Sequence, residues 1–114
     1  MSESTRSVLR GIGSYVPARK VDNQELSQKV DTSDEWIRTR TGIKERRLAD
    51  EKENTSDLAV EASRRAIADA GISLEQIDLV VVATITPDMA FPSTACLLQH
   101  KLGIPKVACF DLEA

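Results

Sequence analysis

The chain has 114 residues, 41% of them hydrophobic and 29% charged, which is the composition of a globular protein rather than of a disordered segment. Its net charge of −3 lacks the basic excess of nucleic-acid-binding domains. No apolar run approaches the roughly 20 residues of a membrane span, and the first residues lack the apolar stretch of a signal peptide. Composition therefore predicts a cytoplasmic protein without a nucleic-acid or membrane partner.

The first predicted element is a strand over residues 8–16 that ends in a turn at Pro17. Gly11 and Gly13 lie inside it but do not precede a helix in a dinucleotide-binding frame. We interpret them as points of close backbone packing within the strand.

Two short helices follow. The first covers residues 23–30, with Asn23 as its cap. The second begins at a capping box formed by Thr32 and Glu35 and ends at Gly42, because glycine adopts the left-handed conformation at low steric cost.

A charged strand over 43–48 and a polar loop over 49–54 lead to the clearest helix, which starts at Asn54 or Thr55 and ends at Gly71. Its apolar stripe is rich in alanine, so we expect the helix to lie close to a sheet. The stripe consists of Leu58, Ala59, Ala62, Ala66, Ile67 and Ala70.

The second half predicts two strands, over 77–85 and 107–112, around a helix capped by Ser93 or Thr94 and ending near Leu102. Continuous apolar runs in both strands are typical of strands buried on both faces. The order β, α, α, β, α, β, α, β predicts an α/β layered fold. The last strand runs to the end of the sequence without a turn or cap, so we expect these residues to be part of a longer protein.

Few residues suggest chemistry on their own. His100 is expected at the surface, and Cys96 and Cys109 lie in apolar surroundings without metal-ligand spacing, as buried thiols rather than a disulfide. Asp34 and Glu35 fall in the first turn of a helix, where the helix dipole favours negative charge.

Trp36 and Arg40 form the one richer constellation. Their spacing of four places both side chains on one helix face, where an exposed indole and a guanidinium could hold a nucleobase and a phosphate. Lys44, Arg46 and Arg47 add positive charge. The other interpretation is that Trp36 belongs to the core and the arginines form a solvated face, and the spacing leaves both open.

Four segments resemble β-ketoacyl-acyl carrier protein synthase III, a family of condensing enzymes. They are GIGSYVP at 11–17, DTSDEWIRTRTGIKER at 31–46, AFPSTAC at 90–96 and FD at 110–111. The resemblance runs in one register from about Leu9 to the last residue, and the segment at 31–46 is the longest and most specific part.

The resemblance implies a thiolase-like α/β/α/β/α fold in a homodimer, of which residues 1–114 would form the first portion of the N-terminal half. It implies an acyltransferase that condenses acyl-coenzyme A with malonyl-acyl carrier protein, releases carbon dioxide and starts fatty-acid chains. No metal or further cofactor is implied, because the coenzyme A thioester is a substrate. The catalytic cysteine, histidine and asparagine of the family would lie beyond Ala114, and Glu113 stands where the family often has a small residue.

The resemblance also assigns roles to residues that are present. Thr32 and Trp36 would contact the adenine of coenzyme A, and Arg40 would meet its phosphates. Phe91 would reach across the dimer interface and close the partner's acyl pocket, although simple interface packing is the other interpretation of this residue.

Two rival functions stay open. A relative with the same fold could act in quinolone or polyketide synthesis, and a truncated product could be non-catalytic. The coding sequence after Ala114 would separate an enzyme from a truncation. The acyl starter is not determined by these residues.

Overall fold

The computed structural model describes residues 4–113, which divide into two compact units. One unit is Val16–Glu53, and the other joins the described residues up to Tyr15 to those from Asn54 onward. The predicted order of helices and strands is confirmed from the first helix onward, whereas the strand that precedes this helix is Arg19–Asp22 and not the predicted 8–16. In chain order the elements are β1 (Arg19–Asp22), α1 (Asn23–Ser27), α2 (Asp34–Thr41), β2 (Glu45–Leu48), α3 (Thr55–Ala70), a 3-10 turn (Leu74–Gln76), β3 (Leu79–Ala83), α4 (Thr94–Leu102) and β4 (Ala108–Leu112).

In the unit Val16–Glu53, β1 and β2 pair antiparallel, with Val21 opposite Arg46. Val21 and Ile37 of α2 are buried. Asp22 caps α1, because its carboxylate accepts a hydrogen bond from the backbone N–H of Glu25 at 2.8 Å. The prediction that Asn23 is this cap is therefore wrong by one residue, and α1 ends at Ser27 rather than at residue 30.

Helix α2 is capped by Ser33, whose hydroxyl accepts a hydrogen bond from the backbone N–H of Trp36 at 3.1 Å. The predicted capping box of Thr32 with Glu35 is wrong by one residue. Both hydroxyl residues suit a cap, so the local sequence does not discriminate between them. Gly42 ends the helix at φ 73°, as predicted.

Helix α3 has the predicted bounds. The Asp57 carboxylate accepts a hydrogen bond from the backbone N–H of Asn54 at 2.9 Å, and Gly71 ends the helix with φ 64°. Acidic side chains in the first turn and glycine after the last turn satisfy backbone groups that the helix itself leaves without partners.

Residues 8–16 form an extended segment, not the predicted strand. A strand needs a ladder of backbone hydrogen bonds to a neighbouring strand. Within residues 4–113, no strand pairs with this segment. Instead the backbone N–H of Ile12 donates to Asp69 at 3.0 Å, and the Ser14 carbonyl accepts from Arg65 at 2.7 Å. Both acceptor and donor belong to α3, so the segment is held by helix side chains.

The glycines of this segment lie against the alanine stripe of α3. A Cβ added at Gly11 would stand 2.5 Å from the carbonyl oxygen of Ala66, and one at Gly13 would collide with that of Ala62. The expectation of close backbone packing is confirmed, but the alanines bring α3 close to an extended segment rather than to a sheet.

Strands β3 and β4 pair in parallel, with Val81 opposite Phe110. One face of this sheet packs on α3 and α4 around a core of Val60, Val80, Ala95, Leu98 and Ile104. The other face exposes large apolar side chains, namely Leu79, Val81, Phe110 and Leu112. The prediction of burial on both faces is therefore wrong for the described residues, since helices cover a single face.

Candidate functional site

The exposed side of α2 brings Trp36 and Arg40 together. The guanidinium carbon of Arg40 lies 4.8 Å from the centroid of the Trp36 ring, and Trp36 is 54% exposed. This distance is typical of a cation–π contact. The predicted shared face is confirmed, and the interpretation of Trp36 as a core residue is wrong, because the neighbouring Ile37 is the buried residue of the helix.

An open pocket of about 500 Å³ lies at the N-terminal end of α2. It is lined by Asp31, Thr32, Ser33 and Trp36. Thr32, free of the capping role, contributes to the pocket and lies four residues before Trp36. Thr32 and Trp36, two of the three residues assigned to coenzyme A, thus line one cavity, and Arg40 lies over the indole of the second.

The positively charged side chains that follow Trp36 in the sequence differ in whether they already bind another residue of the chain. Arg47 donates to the carbonyl oxygen of Pro17 at 3.0 Å, and Arg46 donates to the side chain of Asn23 at 2.7 Å. Both guanidinium groups therefore hold the β1–β2 region together. Arg40 and Lys44 form no ion pair within residues 4–113, which leaves their charges available to an anionic ligand.

Phe91 lies in a separate place, on the segment between β3 and α4. It is 87% exposed and lines an open groove of about 790 Å³. The other residues along this groove are Ile85, Pro87, Met89, Ala90, Pro92, Ser93, Cys96, Cys109, Phe110, Asp111 and Glu113. The groove is largely apolar, a character that suits an acyl chain or a protein contact.

The segment that carries Phe91 is held from α3. The Asp88 carboxylate accepts two hydrogen bonds from Ser56, one from its backbone N–H at 2.8 Å and one from its hydroxyl at 2.5 Å. Lys101 donates to the same hydroxyl at 2.6 Å and forms an ion pair with Asp57. The hydrogen bond from Lys101 holds the pKa of Asp57 below its usual value.

A second carboxylate, from β4, fixes the start of α4. Asp111 accepts hydrogen bonds from the backbone N–H groups of Thr94 and Ala95 at 2.7 and 2.8 Å. These N–H groups have no partner inside the helix, so Asp111 supplements the Ser93 cap. Sequence reasoning missed Asp88 and the capping role of Asp111, because each carboxylate bonds to residues at least 16 positions away.

The two cysteines are free and half-buried. The hydroxyl of Ser93 donates to the Cys96 sulfur at 3.1 Å, and the Cys109 thiol donates to Gln99 at 3.1 Å. Burial, with Cys96 nearby, raises the pKa of the Cys109 thiol. A raised pKa disfavours the thiolate that a nucleophile requires. His100 is exposed in the last turn of α4, as predicted.

Two kinds of feature are absent from residues 4–113. No cluster of three or more His, Cys, Asp or Glu side chains there has an arrangement that could hold a metal ion. No helix in that part of the chain combines the length and apolar character that a membrane crossing needs.

Known proteins of similar sequence and of similar structure both match this chain. No family model matches the chain. It is 60% identical over 107 residues to β-ketoacyl-[acyl-carrier-protein] synthase III of Neisseria gonorrhoeae, covering 93% of this chain and 33% of that protein. It is 54% identical over 113 residues to the synthase of the same name from Caldanaerobacter subterraneus, covering 99% of this chain and 34% of that one.

Solved structures match as well. The 3-oxoacyl-[acyl-carrier-protein] synthase III of Aquifex aeolicus superposes with a TM-score of 0.87 at 48% identity, over 92% of this chain and 34% of that one. A priming β-ketosynthase from a polyketide biosynthetic pathway superposes with a TM-score of 0.87 at 43% identity. The match covers 93% of this chain and 32% of that one. These matches confirm the predicted thiolase-like fold, of which the chain covers part. The chain spans about a third of the length of its curated relatives, and over that third it is 54–60% identical to proteins named β-ketoacyl-[acyl-carrier-protein] synthase III.

Proposed function

We propose that the protein carrying this chain is an acyltransferase that condenses acyl-coenzyme A with malonyl-acyl carrier protein. The observation that carries the proposal is the 54–60% identity to synthases of that name across more than nine tenths of the chain. Decarboxylation of the malonyl group releases carbon dioxide and leaves a carbanion, which attacks the thioester carbonyl of the acyl-cysteine. The new carbon–carbon bond forms as the cysteine leaves as a thiolate. The cysteine, histidine and asparagine that perform these steps are proposed to lie beyond Ala114.

The proposed role of the described residues is to recognise the nucleotide of coenzyme A. An exposed indole offers a planar surface on which adenine can stack. Thr32 supplies a hydroxyl at the same pocket. Arg40 supplies a guanidinium without an ion-pair partner in the described part of the chain, and this group suits a phosphate because its donors are arranged in a planar fork.

Phe91 is proposed to limit the acyl pocket. Its exposure and its place on an apolar groove support contact with an acyl chain or with a second protomer. A homodimer would explain why so large an apolar side chain is uncovered within a single chain. We further propose that the enzyme works in the cytoplasm.

A second candidate function has a specific observation in its favour. The priming β-ketosynthase of a polyketide pathway superposes with the same TM-score, 0.87, as the synthase of Aquifex aeolicus. The chain is 48% identical to the synthase and 43% identical to the priming enzyme, so its residues do not separate the two kinds of enzyme. The alternative is therefore a condensing enzyme that primes polyketide chains.

The experiment is a condensation assay on the complete protein. Acetyl-coenzyme A and malonyl-acyl carrier protein are mixed with it, and the carrier protein is analysed by mass spectrometry for a 3-oxoacyl group. Carrier proteins of fatty-acid and of polyketide synthesis are compared side by side. A preference for the fatty-acid carrier supports the first proposal, and a preference for the polyketide carrier supports the second. No product with either carrier would contradict both.

A further inference from the structure

A single buried amide, the side chain of Asn23, contacts three separate parts of the unit Val16–Glu53. Asn23 is 1% exposed and lies at the start of α1. Its Nδ2 donates to the Asp34 carboxylate and to the Ile43 carbonyl, each at 2.8 Å. Its Oδ1 accepts from the Arg46 guanidinium at 2.7 Å. Both amide hydrogens and one acceptor position are therefore in use.

The two donated bonds reach opposite ends of α2. Asp34 is the first residue of the helix, and Ile43 directly follows Gly42, where the helix ends. A helix of eight residues is about 12 Å long and moves as one body. Bonds at both ends restrict its rotation as well as its position.

Trp36 and Arg40 lie between these two fixed ends. Trp36 is two residues after Asp34, and Arg40 is three residues before Ile43. The indole and the guanidinium are exposed and contact each other, so the placement of this pair toward a ligand depends on how α2 is held. The hydrogen bonds of the Asn23 side chain go to other residues, so they act on Trp36 and Arg40 through the position of the helix.

We propose that Asn23 is a positioning residue for nucleotide recognition, holding α2 so that Trp36 and Arg40 present one preformed surface. This inference rests on the proposed function, since it takes the nucleotide of coenzyme A as the ligand. The bond from Arg46 serves a different purpose, because it ties Asn23 to β2 rather than to α2.

Two variants of the complete protein test the bonds from Asn23 to α2 separately from its bond with Arg46 of β2. Asn23→Asp keeps an acceptor for Arg46 but replaces both donated bonds with contacts between oxygens, at Asp34 and at Ile43. Arg46→Met is the matched control, because it removes the bond to β2 and leaves the two bonds to α2. We expect Asn23→Asp to raise the KM for acetyl-coenzyme A by about tenfold, which is the scale of lost buried hydrogen bonds. We expect Arg46→Met to raise this KM by much less.

Acetyl-pantetheine distinguishes positioning from a general loss of structure. It carries the same thioester and arm but no nucleotide. We expect Asn23→Asp to leave kcat/KM for acetyl-pantetheine within about twofold of the parent protein, whereas general damage would lower it as much as the value for acetyl-coenzyme A. Equal losses with the two substrates would overturn the inference.

If Asn23→Asp does not fold, a second pair of variants decides. Asp34→Ala removes the acceptor of Asn23 and the ion pair of Asp34 with Arg38, whereas Arg38→Ala removes the ion pair alone. A larger loss of coenzyme A affinity in Asp34→Ala supports positioning, and equal losses contradict it.

Trp36→Ala distinguishes the positioning role of Asn23 from the proposed nucleotide site. If it weakens coenzyme A binding while the Asn23 and Asp34 variants do not, only this inference fails. If Trp36→Ala has no effect, the proposed nucleotide site itself is wrong.

Discussion

Arg40 covers one face of the Trp36 ring, with its guanidinium carbon 4.8 Å from the ring centroid. The cation thereby restrains the indole and leaves the remaining exposed surface for a planar ligand. If the base of a nucleotide stacks there, the phosphates of that nucleotide lie near Arg40. No carboxylate in the described part of the chain forms an ion pair with this arginine. The first two predictions follow from this arrangement.

Removal of the indole should weaken use of acyl-coenzyme A. For Trp36→Ala in the complete protein we expect a loss of about 1–3 kcal/mol in transition-state stabilisation, the scale of base–aromatic stacking. Use of malonyl-acyl carrier protein should suffer less, because the carrier arm has no adenine. Steady-state kinetics with each substrate varied in turn provide the measurement. Trp36→Phe is the control that retains an aromatic face, and equal losses for both substrates would refute the adenine assignment.

Arg40→Ala should weaken acyl-coenzyme A binding, most clearly at low salt, because a phosphate contact is screened by ions. Arg38→Ala is the matched control, since Arg38 lies on the same helix but faces Asp34 at 3.5 Å. Affinity measured across a salt series should converge for Arg40→Ala and the parent protein as salt rises. A salt-independent loss would point to lost packing on Trp36 instead of a lost phosphate contact.

Phe91 should set the length of acyl chain that the enzyme accepts. Replacing it with alanine would enlarge an apolar groove, and we expect the ratio of kcat/KM for a four-carbon over a two-carbon starter to rise on the order of tenfold. Phe91→Tyr, with nearly the same volume, is the control. Competition assays with mixed acyl-coenzyme A substrates give the ratio directly. An unchanged chain-length profile in an intact oligomer would leave Phe91 with a packing role only.

Neither cysteine of this chain should carry the acyl group. Burial raises the pKa of the Cys109 thiol, and the nucleophilic cysteine is proposed to lie beyond Ala114. We expect Cys96→Ala and Cys109→Ala to retain most of their turnover, with a stability cost of roughly 1 kcal/mol. Peptide mass spectrometry after addition of acyl-coenzyme A locates the acyl-enzyme. An acyl group on Cys96 or Cys109 would place the nucleophile inside this chain and overturn the proposed register.

Residues 1–114 prepared alone should self-associate and lack condensing activity. The reason is the uncovered face of the β3–β4 sheet, where Val81 and Phe110 stand opposite each other with nearly half of their surfaces exposed. Apolar sheet surfaces of this kind tend to pair with other chains. Sedimentation velocity gives the measurement, and a double variant with lysine at both positions should be more nearly monomeric. A cooperative melt of a monomeric parent chain would contradict the prediction.

The sequence by itself determined the local features of this protein. Gly42, Gly71 and Gly103 end helices as expected, because a positive φ is a property that glycine alone adopts cheaply. The shared face of Trp36 and Arg40 follows from helical periodicity. The similarity to β-ketoacyl-[acyl-carrier-protein] synthase III was also visible in the sequence, since the segment at 31–46 is long enough to be specific.

Only the tertiary structure decided which residues meet across distance. Residues 8–16 look like a strand, yet their glycines lie against α3, because the alternation of side chains says nothing about the availability of a pairing strand. The bonds of Asn23 to Asp34 and of Asp88 to Ser56 likewise have no local signal. A hydrogen-bonding side chain can satisfy any nearby polar group, so its partner is fixed by the packing of the chain and not by its neighbours in sequence.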